Sequence, residues 1–255
     1  MPVLEPLPAV HVEAIELVTV PMALTTPLRT AAGTRSHRDV LLVHVRATEA
    51  DGWAECVAEP EPTYSPEFTD AALVVLRDHL LPRAGAGPTG DALALGPHLD
   101  AVRGHPMARA AIELAVLDAQ LRSADRSLAH WLGATATSVP AGAALGLHDD
   151  IDGLLAEADQ ALAAGAVRLR VKIAPGRAAA PLEALRAHVG DRVLLQADAN
   201  GSFEEDDREL DRLDGVGLAC LEQPLPPADL LGHARLAARL TTPICLDEPL
   251  TSLDA

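Results

Sequence analysis

Four short stretches of this sequence end in polar side chains at a nearly constant interval. They are Arg168-Leu-Arg170-Val-Lys172, Leu194-Leu-Gln-Ala-Asp198-Ala-Asn200, Cys220-Leu-Glu222-Gln-Pro224 and Ile244-Cys-Leu-Asp247-Glu248. From Lys172 to Asp198, Asp198 to Glu222 and Glu222 to Asp247 the steps are 26, 24 and 25 residues. Each acid closes a short apolar run, the place where a strand would stop. Three carboxylates gathered from adjacent strand ends would repel one another, and a hard cation such as Mg²⁺ or Mn²⁺ is their natural counter-charge. Taken singly, Asp198 and Asp247 would read as helix N-caps. Three acids in phase beside a lysine favour the metal.

That lysine stands out. Of the 20 basic residues 19 are Arg and one is Lys172, and Asn200 is the single Asn. The richness in Ala, Arg, Gly and Pro suggests a coding bias that replaces Lys by Arg wherever any cation will serve. Arginine cannot release its proton near neutral pH, whereas a lysine beside a metal and a second cation has its ammonium form disfavoured and becomes a base. A substrate carboxylate held on the metal would have an acidified α-C–H for that base to take. Arg170 lies two residues before Lys172 and so on the same strand face. It could depress the lysine electrostatically, hold a carboxylate oxygen, or simply form a salt bridge inside a barrel. Lys172 and Arg170 are the catalytic candidates; Asp198, Glu222 and Asp247 are the metal candidates.

These residues need a scaffold that repeats about every 25 residues. From about 137 onward, apolar runs at 139–147, 167–173, 193–197, 217–221 and 244–246 alternate with helical patterns at 150–164, 179–188, 203–213 and 227–240. That βαβ alternation predicts parallel strands with crossover helices, and polar residues at successive strand ends converge on the mouth of a TIM-type barrel. Before it, strands are expected at 11–20, 39–46 and 52–57, the last two as a hairpin turning near Glu49–Gly52. A flexible loop is expected at Thr30–Ser36, and helices at 66–81, 90–102 and 106–123. The expected fold is α/β: an N-terminal α+β capping domain over 1–130, then an incomplete (β/α) TIM-type barrel over 137–255, about five of eight strands.

Bulk properties exclude other classes. Apolar residues make up 49% and charged residues 22%, as in an ordinary soluble globular chain. A net charge of −17 argues against a nucleic-acid partner. No apolar stretch reaches membrane-spanning length, and no secretory signal is expected at the start. No GxGxxG follows a strand, which argues against a dinucleotide site. Cys56, Cys220 and Cys245 lack CxxC spacing and read as free thiols in a reducing cytoplasm.

The Lys172 strand, Asp198-Ala-Asn200, Leu221-Glu-Gln-Pro-Leu225 and Ile244-Cys-Leu-Asp-Glu248 together resemble the muconate-lactonizing subgroup of the enolase superfamily. Gly33-Thr-Arg-Ser-His-Arg-Asp-Val, Gly52-Trp-Ala-Glu-Cys-Val, Tyr64-Ser-Pro-Glu-Phe and Gly104-His-Pro-Met-Ala-Arg add to it, so that the resemblance runs over nearly the whole chain. Within the subgroup the chain is similar to o-succinylbenzoate synthases that overlap with N-acylamino acid racemases. The resemblance implies that Asp198, Glu222 and Asp247 ligate Mg²⁺ or Mn²⁺ and that Lys172 is the acid/base. It places Gly33, Arg35 and Tyr64 on the substrate-facing side of the cap, and Ser138, Asn200 and Glu248 at the pocket. It implies a small-molecule carboxylate substrate, dehydration in menaquinone synthesis, a cytoplasmic enzyme, and a homo-oligomer for a full-length member. N-acylamino acid racemase, dipeptide epimerase and muconate cycloisomerase are alternatives within the family, and a truncated non-catalytic remnant is the alternative of another class.

Two departures from the family pattern matter. The usual Lys-x-Lys is Arg170-Val-Lys172 here, and the sequence stops at Ala255 before the sixth strand that carries the family's second catalytic lysine. Five strands of eight leave open edges. The 255-residue chain is therefore expected to make no product alone and to aggregate or need a partner chain. Expression of this chain, with solubility and succinylbenzoate formation as readouts, checks the expectation. A soluble, fully active monomer would overturn it.

Overall fold

The structure, a computed structural model, describes residues 5–30, 33–87 and 89–251. They form two compact units: Ser36–Thr137 with the chain leading to Thr26, and the chain from Ser138 onward with Pro27–Arg35. Among the described residues no helix is long and apolar enough to cross a membrane.

Before the second unit's sheet comes a three-stranded sheet in the order β1 (Val12–Thr30), β2 (Gly33–Ala47), β3 (Gly52–Cys56), whose residues outside 27–35 belong to the first unit. β2 and β3 form the expected antiparallel hairpin, with Leu41 opposite Cys56 and Val45 opposite Gly52. Leu41, Val43 and Val45 are fully buried, the period of two that a one-sided sheet requires. The loop expected at Thr30–Ser36 is largely strand: Thr30 belongs to β1 and Gly33–Ser36 to β2, while 31 and 32 lie outside the described residues. β-branched Val20, Thr25 and Thr34 suit extended backbone, and Pro27 is tolerated because β1 is an edge strand.

Against this sheet lies α4 (Pro106–Ser123), which presents buried Ala108, Ala111, Ile112, Ala115, Val116 and Ala119 at helical spacing. The small side chains let it approach closely. A Cβ built on Gly52 would stand 2.1 Å from the carbonyl oxygen of Ala115, so only glycine fits there. Its N-terminus is served from elsewhere in the chain: the buried Glu67 carboxylate accepts from the amides of Met107 (2.8 Å) and Ala108 (3.1 Å). The helix expected over 66–81 is α1 (Thr69–Val75) followed by a π-helical turn at Leu76–Leu80 and α2 (Leu81–Gly85), and the one expected over 90–102 is α3 (Ala92–Leu99). A short α5 (Leu128–Trp131) was not expected.

The second unit is a five-stranded parallel sheet in sequence order: β4 (Gly142–Leu145), β5 (Arg168–Lys172), β6 (Leu194–Asp198), β7 (Cys220–Glu222) and β8 (Ile244–Cys245). The crossover helices are α6 (Ile151–Ala163), α7 (Ala179–Val189), α8 (Arg208–Leu213) and α9 (Leu230–Arg239), shorter at several ends than the sequence pattern suggests. Leu169, Val171, Leu195, Ala197 and Leu221 pack with Leu154, Leu182, Leu185, Leu210 and Leu236 in one core. Among the described residues the sheet is an open run of barrel strands, in which β4 and β8 each have one neighbour.

Asp214, just after α8, ties that helix to the segment entering β8. Its carboxylate accepts from the amides of Thr241 (2.9 Å) and Thr242 (2.6 Å) and from the Thr241 hydroxyl. Burial pushes its pKa up, but these donors outweigh it and hold the carboxyl at about 2. Because the folded value lies below the unfolded one, this contribution is complete above about pH 4 and fades as pH falls toward 2. Asp214→Ala should cost about 1–2 kcal/mol in urea unfolding at pH 7, and the gap to wild type should narrow steadily below pH 4.

Candidate active site

The parallel register brings the polar strand ends side by side. Lys172 pairs with Asp198, Asp198 with Glu222, and Glu222 with Cys245 across β5–β8. One step earlier along the strands, Arg170 pairs with Gln196 and Gln196 with Cys220. Since alternate residues share a face, Arg170, Lys172, Gln196, Asp198 and Glu222 project to the same side of the sheet.

Asp198 has no exposed side-chain surface, and two cations reach it. The Lys172 ammonium donates to its Oδ2 at 2.5 Å, and Nη2 of Arg170 lies 2.6 Å from the same oxygen. Arg170 also forks onto Glu222: Nε donates to Oε2 at 2.8 Å and Nη2 to Oε1. Gln196, which the sequence reading passed over, donates from Nε2 to Glu222 Oε2; its place two residues before Asp198 was the signal for it. Burial pushes the Glu222 carboxyl up, but the Arg170 hydrogen bond and charge outweigh it and bring it below the usual carboxylate range. Arg170 is held still more firmly protonated, first by the Glu222 hydrogen bond and, against burial, by the charges of Asp198, Glu222 and Asp247.

Asn200 completes the lysine's shell. Its Oδ1 accepts from Lys172 at 2.5 Å and its Nδ2 donates to Glu248 Oε1 at 3.2 Å. Its backbone sits at φ 45°, in the left-handed region, with its amide donating to Asp198 Oδ1 at 3.1 Å. Asp198 thus closes a local turn and caps no helix; α8 begins later and is capped by Asp207. Buried Gln223, also missed, accepts the Asp247 amide on its Oε1 at 2.9 Å and so anchors the loop beyond β8.

Asp247 lies two residues past Cys245, the residue in register with Glu222, and so beyond the end of β8. Among the described residues no three His, Cys, Asp or Glu groups stand gathered as a metal centre. The donors fit Mg²⁺ or Mn²⁺ in kind, being hard carboxylate oxygens from three neighbouring strand ends, but Arg170 stands on two of them. Among the other residues singled out in the sequence, Ser138 is exposed ahead of β4, Gly33 and Arg35 lie at the start of β2, and Tyr64 is exposed in the first unit. A cavity of about 240 Å³ opens beside Lys172, walled by the β4–α6 and β5–α7 connections including His148 and Arg177, and reaches none of the three acids. The thiol of Cys220 is pushed up to about 11, by burial first and then by Cys245 and Glu222, which disfavours a nucleophilic thiolate.

Two family models match the chain: the mandelate racemase/muconate lactonizing enzyme N-terminal domain over residues 14–133, and the enolase C-terminal domain-like family over 153–255. A solved structure from Enterococcus faecalis V583, described as a member of the enolase superfamily, superposes with a TM-score of 0.87 at 31% identity, covering 97% of this chain and 67% of that one. The chain belongs to the enolase superfamily. Within that superfamily it is 45% identical to an N-succinylamino acid racemase of Amycolatopsis sp. over 94% of its length, and 35% identical to the o-succinylbenzoate synthase of Geobacillus kaustophilus over 96%. It spans 66% of the length of each of these two relatives.

Because Asp198 is the shared partner of two cations in a water-excluded position, removing its charge alone should be costly. Asp198→Asn keeps the shape and should destabilise the protein by about 3 kcal/mol or more in urea unfolding at pH 7. A change below about 1 kcal/mol would show that the pairs contribute little to the fold.

Proposed function

We propose that this chain performs proton abstraction α to a carboxylate, as a lyase of the o-succinylbenzoate synthase type. The observation that carries the reading is Lys172, the sole lysine of the sequence, held at a strand end between Asp198 and Asn200. The 45% identity to an N-succinylamino acid racemase supports a second reading, racemisation, which starts with the same step.

In this reading Asp198, Glu222 and Asp247 would hold Mg²⁺ or Mn²⁺. The bound ion supplies positive charge to the substrate carboxylate and thereby acidifies the adjoining C–H. Lys172, as the free amine, takes the α-proton, and the C–H electron pair passes into the carboxylate. In dehydration that pair then expels a hydroxyl from the neighbouring carbon, which takes the proton held by Lys172 and leaves as water; in racemisation a second acid delivers a proton to the opposite face. Asn200 fixes where Nζ stands and is itself braced by Glu248. Gln196 steadies Glu222, and Arg170 supplies fixed charge beside the reacting carboxylate. Ser138, Gly33, Arg35 and Tyr64 are assigned to the substrate. The partner is a small-molecule carboxylate, and the setting a cytoplasmic metabolic enzyme.

Lys172→Arg tests the reading, because it keeps the charge and removes the accessible neutral form. In a full-length version with the barrel completed, incubated in D₂O with Mg²⁺ and an N-succinylamino acid, wild type should exchange the α-hydrogen, followed by NMR. The variant should be slower by about 100-fold or more. Exchange at the wild-type rate would overturn the assignment.

A further inference from the structure

The guanidinium of Arg170 stands among the same carboxylates that the proposed function assigns to the divalent ion. It forks onto both oxygens of Glu222 and reaches Asp198 Oδ2 at 2.6 Å, and the charge of Asp247 acts on it as well. Lys172 takes the same Asp198 oxygen. We propose that Arg170 is a tethered cation that competes with the divalent ion for Glu222 and Asp198, so that this one side chain sets the metal affinity of the site. The inference rests on the metal reading above, and it concerns what this chain's own residue does to it.

The argument is one of geometry and charge. A carboxylate oxygen that accepts a forked, charged hydrogen bond has a lone pair committed to it and cannot also present that pair to a metal. A lysine at position 170 would place a single ammonium on a flexible stem and could leave one oxygen for another. The planar fork engages both oxygens of Glu222 at once and cannot lose its charge. Gln196 donates to Oε2 of the same carboxylate and further restrains it. Glu222 Oε2 accepts from both Arg170 and Gln196 and has no lone pair left, and Oε1 keeps one, so coordination by Glu222 has to compete with the Arg170 fork. Even when the fork swings away, a fixed positive charge remains within contact range of a doubly charged ion and opposes it.

The consequence is measurable without turnover. Mn²⁺ binding to the 255-residue chain is followed by the EPR signal of free Mn²⁺ and by calorimetry, for wild type, Arg170→Met and Arg170→Lys, with Glu222→Gln as the control for site. Arg170→Met should bind Mn²⁺ on the order of tenfold tighter or more than wild type, with Arg170→Lys between them and Glu222→Gln much weaker. Without added metal, Arg170→Met should melt below wild type, and Mn²⁺ should raise its melting temperature by more than it raises that of wild type. If Arg170→Met fails to fold, Arg170→Lys carries the same comparison. Wild type binding Mn²⁺ with the position-170 variants no tighter would overturn the inference and leave the metal reading intact. No binding by any of the proteins, with wild type soluble and folded by circular dichroism, would overturn both.

Discussion

Parallel register is the constraint on which the rest of the second unit depends. Strands β5, β6 and β7 pair so that Lys172, Asp198 and Glu222 fall in one row, with Arg170 and Gln196 in the row behind. A slip of one residue in any strand would send that strand's polar ends into the helix-packed core and its leucines toward the site. The apolar half of the alternation, Leu169, Val171, Leu195, Ala197 and Leu221, secures the polar half by burial against the helices. Position in the site is thus enforced by residues that never touch it.

Within that row electrostatics are organised around a carboxylate that water does not reach. Desolvating Asp198 is expensive unless it is met by cations, and here both neighbouring basic side chains meet it. The two cations are not equivalent. Lys172 is shared between a charged acceptor and a neutral one, whereas Arg170 is shared between two charged acceptors. The first arrangement positions a group that can exchange a proton; the second fixes a charge that cannot leave.

Much of this was legible from residue order. The hairpin of β2 and β3, helix α4 and the five barrel strands follow from alternation, helical spacing and a 25-residue period, and the alignment of Lys172, Asp198 and Glu222 in one row follows from the same period. What escaped has physical reasons. The continuation of β1 through 21–30 carries no clean alternation, because an edge strand needs only one partner and tolerates Pro27, and β2 begins at Gly33 within the expected loop. The π-helical turn at Leu76–Leu80 leaves the apolar spacing nearly unchanged, so periodicity does not reveal it. That Asp247 falls outside β8 depends on where that strand ends, and a two-residue strand leaves no pattern to count. Gln196 and Gln223 are uncharged and drew no notice, though both hold a charged residue or its loop in place.

Asn200 meets three demands in one residue: a left-handed backbone at φ 45°, an acceptor for Lys172, and a donor for Glu248. Glycine would satisfy the first and neither of the others. Aspartate would satisfy the first two and set a negative charge against Glu248, while glutamine or serine would strain the turn. In a sequence that uses asparagine nowhere else, this one is the residue type that meets all three demands at once.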